Sequence, residues 1–284
     1  MIRENKKNKL HYGWVVAGLS VAVTTGALGL ARFGYTVILP SMKLGLGLDA
    51  VKAADLATSN MIGYLSFAAI SGMLAARFGA RIVVSFFMLV TAASMLLSGL
   101  ADSYPLALAA RTLTGIGSAG ANIPMMALAA VWFAPRRRGL ATGITVSGAS
   151  IGLVATGLLV PAILRHFGPE GWRQAWFVFA GFAFLMAVLG LIMLRNSPAD
   201  MGRLPVGSAA GTAGSNAVDR AAGRPRLKWS LLYRSGPIWH LAGIYVLFGF
   251  SYVIYATFFV DYLTSEAGFE IGRAGSLWSA IGIF

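Results

Sequence analysis

The 284-residue chain has no cysteine, so neither disulfides nor thiol chemistry enters its account. Charge is also scarce: charged residues make up 12% of the chain, about half of what a soluble domain carries. Acids are rarer still, 10 against 23 bases, which leaves a formal net charge of +13. Histidine and carboxylate residues never gather at metal-ligand spacing, and no nucleophile has a base and an orienting group close by. The sequence therefore offers no metal site, no cofactor site and no catalytic set, and it is not read as an enzyme. The basic excess would suggest nucleic acid on a soluble surface. Here the bases sit between apolar runs, where positive residues set membrane topology, and nucleic acid is excluded as a partner.

What the chain has is apolar length, with 57% hydrophobic residues. A membrane helix needs about 20 mostly apolar residues, and that rule places spans near 13–40, 55–76, 82–101, 104–131, 139–164, 173–194 and 238–262, with an eighth beginning near Arg273. Helices are preferred to barrel strands because the runs are unbroken instead of alternating with polar residues. The expected class is an all-α integral membrane protein of seven full spans and the start of an eighth, whose surroundings are the lipid bilayer. The first run continues to Pro40 without a small-residue cleavage site and reads as a retained span.

The connections alternate in charge. The N-terminus, the turn with Arg77 and Arg81, the run Arg136-Arg137-Arg138 and the segment Arg195–Arg234 are basic, whereas Asp49, Asp55, Asp102, Asp261, Glu266 and Glu270 lie on the other side. Arg165, Arg173 and Glu170 break the trend weakly. This pattern puts the N-terminus and the basic turns in the cytoplasm, and the bacterial inner membrane is the expected location. It divides the chain into a basic N-terminus (1–12), a six-helix bundle (13–195), a Gly, Ala, Ser and Pro-rich tether (196–236) and an incomplete second bundle (237–284). Trp229 and Tyr233 are expected at headgroup level.

The turn Gly72-Met73-Leu74-Ala75-Ala76-Arg77-Phe78-Gly79-Ala80-Arg81 resembles the loop between the second and third spans of major facilitator superfamily transporters. The match holds at Gly72, Arg77, Gly79 and Arg81, and fails at Ala76, where that family carries an acid. Arg111-Thr112-Leu113-Thr114-Gly115-Ile116-Gly117 resembles the same family's fourth-span signature, whose arginine faces the cavity. Pro135-Arg136-Arg137-Arg138-Gly139 resembles its basic loop between spans four and five. Leu194-Arg195-Asn196-Ser197-Pro198-Ala199-Asp200-Met201-Gly202 is similar to the segment after the sixth span in its bacterial organic-anion and monocarboxylate branches. The resemblance implies two parallel bundles working by alternating access, with Gly72, Arg77, Gly79 and Arg81 as a gating loop. The latch is then made by Arg77 and Arg81 with helix C-terminal carbonyls, or the loop is topogenic alone. Twelve such spans need roughly 400 residues, so a fragment or truncated product is expected, and a monomer if full length.

Two arginines lie inside the apolar spans. At 1.5 Å per residue Arg32 sits about 12 Å inward of Pro40, and Arg111 about 9 Å inward of Pro105. A buried arginine needs a partner, a wet cavity or a substrate. Two cations without a carboxylate in the first six spans suggest a small organic anion held bidentately. Each has a second reading, as a snorkelling side chain or a clamp on backbone carbonyls. Tyr35, one turn from Arg32, is a candidate donor to the same ligand or an interface aromatic. Thr114, Gly115, Ser118 and Asn122 share the Arg111 stripe, which makes Asn122 a candidate too. On the seventh span Tyr252 and Tyr255 line a cavity or simply pack.

Gly143, Gly148, Gly152 and Gly157 on the fifth span read as close-packing positions. Gly115-Ile116-Gly117-Ser118-Ala119-Gly120 matches a dinucleotide fingerprint by pattern but has no strand before it, and helix packing is the better reading. The alternative to anion transport is proton-coupled efflux of amphipathic compounds. That reading needs a membrane-embedded carboxylate, and Asp261 at the outer end of span seven is the first available. A third reading is a non-functional membrane fragment.

Overall fold

The computed structural model describes residues 11–208 and 236–283, the side chains of Ala242 and Phe250 excepted. Arg3, Lys6, Lys7, Lys9, Trp229 and Tyr233, on which part of the topology reading rests, lie outside those residues. The described residues form helices and no strand: α1 (Tyr12–Gly45), α2 (Ala50–Phe78), α3 (Ala80–Gly99), α4 (Tyr104–Val131), α5 (Arg138–Phe167), α6 (Gly171–Met193), α7 (Gly236–Ser265) and α8 (Ile271–Ile283). Most run a few residues past the expected spans, because their ends carry caps that the twenty-residue rule does not see. His11 Nδ1 accepts from the Gly13 amide (3.1 Å) and Asp49 Oδ1 from the Lys52 amide (2.8 Å). Six helical stretches are long and apolar enough to cross a membrane, one of them, Pro135–Met193, holding both α5 and α6.

Packing follows the small residues. α2 and α3 lie on α4, α3 on α6, and α1 on α5, while α7 meets α1 and α8 meets α5. Gly115 faces Asn60 and Tyr64 backbone atoms across to α2, and Gly117 and Gly120 face Thr91 and Phe87 on α3. The fingerprint-like segment is thus a set of helix crossings. At the α1–α5 crossing the backbones of Gly29 and Gly152 touch, so a Cβ on either would fall inside the other residue. Gly148 abuts Val21 and Thr24, and Gly157 abuts Gly275 and Ser279. Gly143 differs: it is exposed, and an added Cβ would meet nothing within 4 Å.

Large apolar side chains such as Leu65, Phe86, Phe184 and Ile192 face outward, the arrangement expected of a bundle whose solvent is lipid. The bulkiest fully buried side chains include Trp132, Trp172, Trp176, Trp278 and, among them, Arg111.

The tether does not begin where α6 ends. Residues 194–208 fold back over the basic end of the bundle. Ser197 and Asp200 form a reciprocal capping box, and Val206 is buried, its amide donating to the Trp132 carbonyl (2.9 Å) and its carbonyl accepting from the Ala134 amide (3.0 Å). His11 Nε2 donates to the Leu204 carbonyl at 3.0 Å. Its Gly and Ser composition reads as free linker, yet two apolar anchors, Leu194 and Val206, tie down this first part.

Candidate functional site

Within α1, residues Thr25–Phe33 wind as a π-helix. Such wide turns misalign the i to i−4 ladder and turn carbonyls toward neighbours, and they recur at functional sites. Arg111 on α4 uses this opening: its Nη1 donates to the Ala31 carbonyl at 2.8 Å. The guanidinium lies over the Tyr35 ring (4.4 Å to the centroid) and beside Trp176 of α6 (5.6 Å). Only 1% of Arg111 is exposed, and its Nε has no partner. It clamps a carbonyl through Nη1, and its buried Nε–H is left without an acceptor. Two aromatic faces offset part of its desolvation.

Arg32, one turn before Thr36, is half-buried, its guanidinium 5.4 Å from the Phe33 ring centroid. It has no hydrogen-bond acceptor and no ion pair among the described residues. Both arginines line one cavity of about 20 Å3, with Tyr35, Thr36, Met61, Ala256 and Thr257. That is room for one water-sized group. No carboxylate lines it.

The structure brings some candidates together and separates others. Tyr35 is at the cavity, but its hydroxyl donates to the Ala53 carbonyl at 2.9 Å, so the ring is the part facing Arg111. Asn122, three turns along α4, belongs to a separate buried group, accepting from Thr24 Oγ1 (3.4 Å) and donating to the Tyr64 hydroxyl (3.3 Å). Tyr252 and Tyr255 are not among the lining residues, which on α7 are Val253, Ala256 and Thr257, but Tyr252 lies within electrostatic reach of Arg32. The tyrosines lie on a half-exposed aromatic face, with Phe248 stacked on Tyr252 at 5.8 Å and Phe259 4.9 Å from Tyr255. α7 turns its small side chains inward because Ala256 and Thr257 must approach α1 closely. Thr36 Oγ1 donates to the Ala256 carbonyl across that contact. Trp176 could not be singled out in the sequence: it reaches Arg111 from a different helix, as one of several buried aromatics on α6.

At the two ends the charges behave differently. The Gly72–Arg81 segment is helical up to Phe78, and the turn is Gly79 alone, at φ 85°. Only glycine adopts that geometry readily, and a side chain there would also strike Asn196. Arg81 Nε donates to the Leu191 carbonyl near the end of α6 (2.8 Å), and its amide donates to Asn196 (2.9 Å). Arg77 lies over Phe78 instead, at 5.3 Å, and Gly72 faces open space. At the opposite end several charges are paired. Arg173 bonds Asp102 (2.8 Å), Glu170 (2.7 Å) and the Gly99 and Ala101 carbonyls that finish α3. This accounts for Arg173 and Glu170, two of the three residues that break the charge alternation. Lys43 of α1 meets Asp261 of α7 at 3.2 Å. Asp261 is the one buried carboxylate among the described residues, and it is neutralised by Lys43.

Long apolar helices crossing at glycines, with cations enclosed between the first, fourth and seventh, define a multi-pass membrane protein of transporter architecture. The Major Facilitator Superfamily profile matches residues 21–284, and the chain belongs to that family. A Cupriavidus necator protein described as "Probable sulfoacetate transporter" is 24% identical over 240 residues, covering 84% of this chain and 55% of the relative. "Monocarboxylate transporter 3" of Rattus norvegicus is 28% identical over 183 residues, covering 64% and 36%. The crystal structure of a bacterial homolog of the human lysosomal transporter Spinster, inward-facing and unoccupied, superposes with a TM-score of 0.71 at 20% identity, over 96% of this chain and 60% of that one. The chain spans about half the length, or less, of the curated relatives it matches.

Proposed function

We propose that the chain is the first bundle, and the beginning of the second, of a secondary transporter that moves a small organic anion by alternating access. One observation carries this reading: two guanidinium groups line a single cavity between α1, α4 and α7, with no carboxylate beside them. Intramembrane cations without a protein counter-charge call for an anionic ligand. Arg111, anchored by Ala31, Tyr35 and Trp176, supplies a fixed N–H; Arg32, with no acceptor of its own among the described residues, is the arm that closes on the ligand. Relatives named for sulfoacetate and for monocarboxylates support the same substrate class.

A cavity of about 20 Å3 is too small for such a ligand, so binding requires α7 to move away from α1. On this reading the N-terminus and the Arg81 turn are cytoplasmic, which the unpaired bases at that end support. The Arg81 contact with the end of α6 then braces the gating loop in place of the missing acid. The test is uptake by cells expressing the whole reading frame that contains this chain. Labelled sulfoacetate or a short monocarboxylate should accumulate above vector controls, and a neutral sugar should not. Sugar accumulation without anion accumulation overturns the proposal.

A further inference from the structure

We propose that the gap between Arg32 and Arg111 is a binding site for a monatomic anion of halide size, filled when no organic substrate is present. The inference rests on the reading of this cavity as an anion site and adds to it what occupies the empty transporter.

Three features of the cavity lead there. The first is charge. The ion pairs among the described residues join Lys43 to Asp261 and Arg173 to Asp102 and Glu170, and none includes Arg32 or Arg111. Two like charges facing one cavity repel each other, and the nearby acid that could relieve them is already held by Lys43.

The second is the polarity of the lining. Arg111 Nε is buried without an acceptor, and Arg32 has none among the described residues. Tyr35 and Thr36 donate their hydroxyl protons to the Ala53 and Ala256 carbonyls, so neither proton is free for a ligand. The gap therefore presents two guanidinium groups and no anionic acceptor. A halide supplies the negative charge they lack, which water does not, and so matches the lining better.

The third is size. About 20 Å3 admits one water-sized body, which a chloride or bromide ion is and an organic anion is not. Phe33, Met61, Ala57 and Val253 add apolar groups to the lining, and the lower local dielectric beside them strengthens the attraction between ion and guanidinium. An organic anion would then enter by displacing the halide as the gap widens, so the two compete.

The experiment uses the purified chain in detergent, with sodium chloride replacing sodium sulfate at fixed ionic strength. Chloride NMR line width reads binding and thermal unfolding reads the fold. The proposal expects saturable broadening that Arg32→Gln weakens by about tenfold, with the unfolding midpoint in sulfate unchanged. Broadening that never saturates, or that Arg32→Gln leaves intact, overturns the site. Sulfoacetate is then titrated against bound chloride. Narrowing supports competition at one site; saturable chloride binding that sulfoacetate does not relieve keeps the halide site and contradicts the organic-anion reading.

Discussion

Arg111 and Tyr35 form a unit in which each group has a structural duty and a face left for ligand. The Tyr35 hydroxyl belongs to Ala53 and its ring to Arg111. Tyr35→Phe should therefore cost about 1 kcal/mol of stability, the usual net value of one hydrogen bond, while leaving anion affinity within about twofold. Tyr35→Leu, which removes the aromatic face as well, should weaken the anion site further; thermal unfolding and binding titrations separate the two effects. Both arginines were legible in the sequence, because a charge inside an apolar run stands out. The aromatic box was not, since Trp176 arrives from another helix and Tyr35 gives no sign of where its hydroxyl goes. Helical spacing puts Asn122 on the Arg111 face but three turns away, and only the folded chain shows that it bonds Tyr64 and Thr24 there.

The helices depend on a few crossings. Gly152→Val should push α1 from α5 and cost about 1 to 3 kcal/mol, the range for overpacking a tight contact. Gly143→Ala should stay within about 0.5 kcal/mol, as for an ordinary exposed position. Equal thermal shifts for the two would contradict the crossing. The span positions were readable because twenty apolar residues leave few alternatives. The π-helix was not readable, since i to i−5 bonding is chosen by what α4 and α5 press against α1 instead of by local propensity. The docking of residues 194–208 was not visible in composition: Leu194 and Val206 are only two apolar residues, but both are buried, and Val206 bonds Trp132 and Ala134 just after α4.

At the scale of the molecule, α7 touches α1 mainly toward the Lys43 end. Ala256, Val260 and Asp261 are buried there, while Ile244, Val246 and Leu247 nearer its start are exposed. The Lys43–Asp261 pair is the polar fastening of that closure. The absence of native cysteine makes the contact measurable: a Thr36→Cys/Ala256→Cys pair should cross-link readily, and Lys43→Met should reduce the yield. Lys43→Met should also destabilise more than Asp261→Asn, by about 1 kcal/mol or more, because it strands a buried carboxylate whereas the freed lysine can reach water. Unchanged cross-linking would remove the pair from the closure. The whole-chain charge pattern already separated the two ends, but which lysine met which aspartate needed the helix pairing.

The central claim is that Arg111 holds an anion through its planar guanidinium. Initial uptake of labelled sulfoacetate or a short monocarboxylate by the full reading frame, normalised to protein at the membrane, tests it most directly with Arg111→Lys. Lysine keeps the charge and loses the fork. The account predicts a loss of about tenfold or more; uptake near that of the unaltered protein would contradict it.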